Sequence, residues 1–210
     1  SDENPYELSS EEKQLVKELR RMYVNNKRLK QHIEFLYAKG SMYCCFNNNL
    51  LYHGCVPLDE DGNFAVIKLN DKNYKGKDYL DYADKMARKA YFNKNNQDEL
   101  DFMWYLWCGE KSPLSGRRIK TFERTFIDDK NAWNEPKNPY YDFYKDEKTC
   151  NMILHDFDMY SPMSHIINGH TPIRVTKGEK PVHANGKLII IDGGFCKAYH
   201  DTTGIAGYTL

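Results

Sequence analysis

Leu50-Leu51-Tyr52-His53-Gly54-Cys55-Val56-Pro57 and Ile166-Ile167-Asn168-Gly169-His170-Thr171-Pro172 share one pattern. In each, an apolar strand-like run stops at a histidine beside a glycine, and a proline closes the turn. A histidine placed where a strand ends presents its imidazole at a sheet edge with little bulk beside it. A metal site built by a sheet needs that arrangement. The two histidines stand 117 positions apart, so only tertiary structure brings them together.

Working outward, Met42–Phe46 and Leu50–His53 flank Asn47-Asn48-Asn49, which predicts a short hairpin. Asp59–Asn63 reads as a polar surface loop; its Asp-x-Asp-Gly lacks the downstream glutamate of a calcium loop. Phe64–Leu69 reads as another strand or extended piece. Helices are expected at Gly76–Asn93, Asn96–Trp107, Arg118–Asp129 and Lys145–Asp158, and an ordered Asn/Pro/Tyr-rich loop at Asn131–Phe143. Strands at His165–Asn168 and Lys187–Asp192 complete the pattern, with turns at Gly178–Pro181 and Ala184-Asn185-Gly186. Before all of these, Ser9-x-x-Glu12 forms a capping box and Gly40 occupies a C′ position. The apolar spacing between them predicts one helix of roughly 28 to 30 residues. The expected architecture is α/β, a mixed sheet with flanking helices, divided as a helical segment over 1–40 and a domain over 41–210. The helix suits a connector, with self-association into a homo-oligomer as the alternative.

Composition narrows the function classes. The 210 residues carry 30 Lys plus Arg and 30 Asp plus Glu, a balance that argues against a nucleic-acid binder. No apolar run approaches the about 20 residues of a membrane span. The six cysteines show no Cys-x-x-Cys or framework spacing, which predicts reduced thiols and a cytoplasmic protein.

Together with the two histidine turns, Tyr105-Leu106-Trp107, Thr121-Phe122-Glu123-Arg124, Lys137-Asn138-Pro139-Tyr140-Tyr141 and Ile191-Asp192-Gly193-Gly194-Phe195 through Thr203-Gly204-Ile205-Ala206-Gly207-Tyr208 support a resemblance. From about Ser41 onward the chain resembles class III fructose-1,6-bisphosphatase, in the calcineurin-like metallophosphoesterase superfamily. The resemblance implies part of that superfamily's sandwich. It also implies metal-dependent hydrolysis of the 1-phosphate of fructose 1,6-bisphosphate to fructose 6-phosphate, a gluconeogenic step, with divalent metal, manganese by family, in a binuclear centre. The superfamily's Asp-x-His, Gly-Asp-x-x-Asp-Arg and Gly-Asn-His motifs do not occur in this sequence. They supply the bridging carboxylate and the leaving-group histidine. A chain that begins without methionine and stops in a strand-like Tyr208-Thr209-Leu210 is therefore expected to be the C-terminal part of a longer enzyme, inactive alone.

By the same resemblance His53 and His170 would ligate one of the two ions; the alternative is a pair of hydrogen-bonded turn histidines. Arg117 and Arg118, after a Pro-Leu-Ser loop, are candidates for gripping phosphate, or else for surface salt bridges. Asp192 and His165 are candidates for supporting the ligands from behind. His32, His155, His183 and His200 have no metal-like spacing. Phe102, Trp104, Tyr105 and Trp107 are expected in the core. Two rival functions stand beside this one. The first is phosphoester hydrolysis on a phosphoprotein or dinucleoside polyphosphate. The second is a non-catalytic docking segment.

Overall fold

A computed structural model of the chain describes residue 4, residues 7–204 and residues 207 and 208. Its contacts fall into two compact units, Ser1–Ser41 and Met42–Leu210. The strand expected at Tyr208-Thr209-Leu210 falls partly outside the described residues.

In the first unit, the single long helix expected from the sequence is two, α1 (Ser10–Val24) and α2 (Lys27–Lys39). The capping box forms as expected, with Glu12 N–H donating to Ser9 Oγ at 3.1 Å and Ser9 N–H to Glu12 Oε2 at 2.7 Å. The break lies at Asn25-Asn26, where Asn26 Oδ1 accepts from Leu29 N at 2.9 Å and caps a new helix. A side-chain amide that competes with the backbone for this donor favours a helix start over a helix interior. Neither helix buries any residue.

The second unit opens with a hairpin of β1 (Tyr43–Phe46) and β2 (Asn49–Tyr52), registered Phe46 to Asn49. Its two-residue turn holds Asn47 at φ 49° and Asn48 at φ 60°. These are the left-handed angles a type I′ hairpin demands and asparagine tolerates. A second hairpin, β3 (Ile67–Leu69) and β4 (Lys72–Tyr74), repeats the device with Asn70 and Asp71. It stands apart from the main sheet, so the strand expected over Phe64–Leu69 is shorter and pairs elsewhere.

The helical part follows: α3 (Gly76–Asn93), α4 (Gln97–Cys108), α5 (Thr121–Phe126), α6 (Tyr140–Phe143) and α7 (Glu147–Asp156). The helix expected at Arg118–Asp129 shrinks to α5 because its first residues are held extended. Arg118 N–H donates to Pro136 O, Ile119 N–H donates to Cys108 O, and Arg117 bridges Lys137. In α4, Phe102 and Leu106 are buried, whereas Trp104 and Trp107 are 60% and 44% exposed. The expectation of a core role therefore fails for both tryptophans, which lie on the opposite side of the helix. The start of α3 is capped from a distance: Asp156 Oδ2 accepts from Lys77 N at 2.6 Å, a carboxylate at the positive end of a helix.

Three further strands, β5 (His165–Asn168), β6 (Val182–His183) and β7 (Leu188–Ile190), and a short α8 (His200–Thr203) complete the described chain. The main sheet has the order β1-β2-β5-β7-β6, with β2, β5 and β7 mutually parallel and the two edge strands antiparallel. Leu50, Ile166 and Leu188 lie in register and are buried, as are Tyr52, Asn168 and Ile190 two residues further on. Alternate residues share a face, so this face is the core. Near-continuous apolar runs are what central parallel strands require.

Candidate functional site

Three parallel strands that leave a sheet at one edge deliver their following residues to one place. Ligands of open α/β sheets bind outside these carboxyl ends. Here β2 is followed by His53, β5 by Gly169-His170, and β7 by Ile191-Asp192. The exits are stitched together: Gly169 N–H donates to His53 O at 3.3 Å, Ile191 N–H to Asn168 O at 3.0 Å, and Ile173 N–H to Asp192 O at 3.2 Å. His53 Nε2 and His170 Nδ1 come to 3.1 Å with the rings edge to face. The two motif histidines thus meet, joined by a hydrogen bond between their rings.

Each turn has its own support. The Asn168 amide donates to the carbonyls of Tyr52, His53 and Gly54 at 3.2, 3.2 and 3.0 Å, holding the first histidine turn against the second. Asn168 is buried, and its Oδ1 lacks a hydrogen-bond partner. A Cβ on Gly54 would run into the backbone of Pro113 and Leu114, so this position admits only glycine without a shift. Gly169 is under no such pressure, since a Cβ there would meet His53 Nδ1 at an ordinary 3.5 Å. The conformational demand of the second turn falls on His170 itself, at φ 61°. The left-handed region is uncommon for a residue with a side chain, and such strain gathers at functional positions.

Burial first, then the charge of His53 and Arg117, lowers the His170 pKa from 6.5 to about 4, with Asp192 pulling the other way. Its ring is therefore neutral at pH 7, the form in which imidazole ligates metal. Two imidazole nitrogens each about 2.1 Å from one ion stand roughly 3.0–3.4 Å apart at ligand angles between octahedral and tetrahedral. The 3.1 Å separation and the neutral ring fit a shared divalent ion. Among the described residues no third His, Cys, Asp or Glu completes a ligand cluster.

Both rings open on a cleft of about 1180 Å³ whose walls carry Arg117, Lys137, Arg174, Lys177 and Asp192. Arg117 Nε is buried without a hydrogen-bond partner. Partial burial first, then the charges of Arg117 and Arg174, hold the Lys137 ammonium below the usual lysine range, against a smaller opposing pull from Asp142. The same cleft also carries Glu135 and Asp201. Arg118 lies outside this wall and is exposed. His165 starts β5 at the far end from His170 and meets Gly186 O through Nδ1 at 2.8 Å, which gives its ring a local anchoring role. Asp192 reaches the cleft.

Cys55 follows His-Gly directly, but it is no nucleophile. Its thiol is buried, directed at Ser112 O at 3.4 Å, and burial pushes its pKa far up. A thiol so placed is inert.

Lys137 and Arg174 were not singled out by sequence reasoning. The signal for Lys137 is its place in Lys137-Asn138-Pro139-Tyr140. Buried Asn138 accepts from Leu58 N and Tyr140 N at 3.0 Å each and donates to Leu58 O at 3.2 Å. A fully bonded amide of this kind pins a loop and hence its neighbours. For Arg174 the signal is proximity, four residues beyond His170.

The family profile for Firmicute fructose-1,6-bisphosphatase matches residues 1–210. Curated relatives named fructose-1,6-bisphosphatase class 3 include one from Clostridium botulinum strain Langeland, 53% identical over 213 residues. That match covers 99% of this chain and 32% of the relative. Another, from Clostridium tetani strain Massachusetts, is 50% identical over 212 residues, again covering 99% of this chain and 32% of the relative. The chain thus spans about a third of the length of these relatives. No solved structure matches it, and no helix among the described residues is long and apolar enough to cross a membrane. With the profile matched from end to end, the chain belongs to the Firmicute fructose-1,6-bisphosphatase family.

Proposed function

We propose that this chain supplies part of the active site of a metal-dependent phosphatase that hydrolyses the 1-phosphate of fructose 1,6-bisphosphate, giving fructose 6-phosphate and inorganic phosphate. The observation that carries the proposal is the convergence of His53 and His170 at 3.1 Å on the carboxyl edge of the sheet. The names of the relatives support the substrate. In this reading the mixed sheet forms part of a calcineurin-like sandwich, and cytoplasmic gluconeogenesis is its setting.

His53 and His170 together would hold one divalent ion, manganese by family, whose remaining ligands come from residues or waters beyond the described set. Such an ion supplies Lewis acidity and an acidified water. The chain's own residues do the rest. The strained His170 backbone and the Asn168 clamp fix the direction of the two rings. Arg117, which lines the cleft beside the pair, grips oxygens of the reacting phosphate, and the remaining cations concentrate anionic substrate in the cleft. Asp192, on the third strand exit, offsets part of the positive charge that acts on His170.

The test is phosphate release from fructose 1,6-bisphosphate with Mn²⁺, measured on the 210-residue chain and on a chain extended to the relatives' length. Release by the extended chain that His53→Ala and His170→Ala each abolish supports the proposal. An extended chain that releases no phosphate, or alanine variants that keep full turnover, would sink it.

A further inference from the structure

We propose that Lys137 and Arg174 form a second anion subsite that takes the phosphate the reaction leaves in place, so that the cleft selects sugar bisphosphates over monophosphates. The inference rests on the function proposed above and adds a division of labour between its cations.

The geometry separates two groups. Arg117 lines the main cleft beside the histidine pair and does not reach the side pocket, whereas Lys137 and Arg174 line both. Lys137 and Arg174 stand where the main cleft passes into a side pocket of about 210 Å³, which they share with Thr171, Pro172, Lys145 and Glu179. Arg174 is reached from His170 through Thr171-Pro172-Ile173, so its backbone is no more than about 14 Å from that of His170. That bound leaves room for one small sugar along the Thr171-Pro172 wall. Two independent restraints fix the cations. Lys137 is tied to Arg117 by backbone pairing and follows from the Asn138 hub. The Arg174 backbone N–H donates to Glu179 Oε2 at 2.9 Å, which curls residues 174–179 into a closed turn.

Electrostatics then argue for an anion between them. Arg117 and Arg174 both hold down the charged form of Lys137, so an ammonium and two guanidinium groups lie close enough to repel. Glu179, held below the usual carboxylate range mainly by the Arg174 N–H, with Lys145, Arg174 and His183 adding to it, offers the nearest negative charge on the side-pocket flank. Asp142 opposes from the Lys137 side. Neither carboxylate forms an ion pair with Lys137 or Arg174 among the described residues, whose salt bridges lie elsewhere. A phosphate held jointly by an arginine fork and a lysine relieves the repulsion with charge-assisted hydrogen bonds.

The experiment compares fructose 1,6-bisphosphate with fructose 1-phosphate in the extended chain carrying Lys137→Met or Arg174→Gln. Each substitution is expected to lower kcat/KM for the bisphosphate about tenfold or more, mostly through KM, as loss of a charged hydrogen bond does. The monophosphate should change less than about twofold, and Arg174→Lys should restore part of the loss. Equal losses on both substrates, or none on either, would overturn the subsite. If no form of the protein turns over, the same comparison is made by calorimetric binding to the 210-residue chain. Preferential bisphosphate binding that Arg174→Gln removes would uphold the subsite while the hydrolytic reading fails. Equal binding of the two sugars would overturn the subsite by itself.

Discussion

The two ends of strands β2 and β5 are built from the same residue types and behave differently. At one end stand an asparagine turn and His165, at the other Asn168, His53 and His170. The Asn47-Asn48 turn adopts left-handed angles because a two-residue hairpin requires them, and His165 meets a carbonyl at Gly186. At the carboxyl end, His170 takes a left-handed angle outside any hairpin. Its ring faces another ring rather than a carbonyl, and the amide behind it leaves Oδ1 unbonded. What distinguishes a site from a turn here is a strained histidine whose partner is a second histidine, beside a lysine and two arginines that repel one another. The presence of histidine and asparagine alone does not.

The largest expected effect tests that contrast on the histidines themselves. His53→Ala or His170→Ala should lower divalent-metal affinity and phosphate release in the extended chain by at least about 100-fold, beyond what loss of a group behind a ligand costs. His165→Ala should change either by less than about threefold. Comparable losses from His165→Ala would erase the distinction between the two ends.

Next comes the backbone. Gly54→Ala forces a methyl group into the Pro113–Leu114 chain and should cost about 2–4 kcal/mol in urea unfolding. Gly186→Ala, at the other end, meets nothing within 4 Å but sits at φ 90°, so only backbone strain opposes it, roughly 1–2 kcal/mol. The order of the two costs is the informative result; a reversal would mean that close packing at the His53 turn is not what holds it. A smaller loss is expected for Asn168→Ala. It removes three donated hydrogen bonds but also the unbonded Oδ1, giving a net cost of about 1–2 kcal/mol.

The sequence made the two histidine turns legible because strand, glycine and proline are local signals, and a parallel sheet carries local signals to a common edge. α3, predicted over its full observed span Gly76–Asn93, was legible for the same reason: its apolar period is uninterrupted. Other features depended on competition. Asn26 could occupy a polar slot in one long helix or cap a new one, and the hydrogen bond to Leu29 N decides for the cap. Periodicity does not register that choice. Asn70-Asp71 carries the same left-handed preference as Asn47-Asn48, yet with a strand pattern on its first side only, its hairpin was invisible. Arg174 and Lys137 were missed because their relation exists only after Arg117 pairs with Lys137, 20 residues away in sequence, and after the Glu179 turn closes. The exposed Trp104 and Trp107 were misread because aromatic composition does not state which side of a helix it covers.

The smallest effect concerns protons and sharpens the contrast between His170 and its surroundings without metal. The pKa of His170 is lowered from 6.5 to about 4 in the fold. Above pH 6.5 both folded and unfolded chains keep the ring neutral, and it contributes no pH dependence. Between pH 6.5 and about 4 the unfolded chain takes up the proton and the folded chain does not, so stability falls as pH falls. Below about 4 both are protonated and the difference stops growing. Because the ring is half-buried at the cleft, screening trims the full linkage to roughly 1 kcal/mol. In metal-free chelated buffer, urea unfolding of the chain and of His170→Asn should therefore diverge across this window, the variant losing less stability on acidification. Parallel curves for the two chains would place the ring in ordinary solvent and remove the electrostatic half of the case for a neutral ligand; a divergence reversed in sign would mean the imidazolium is the favoured form.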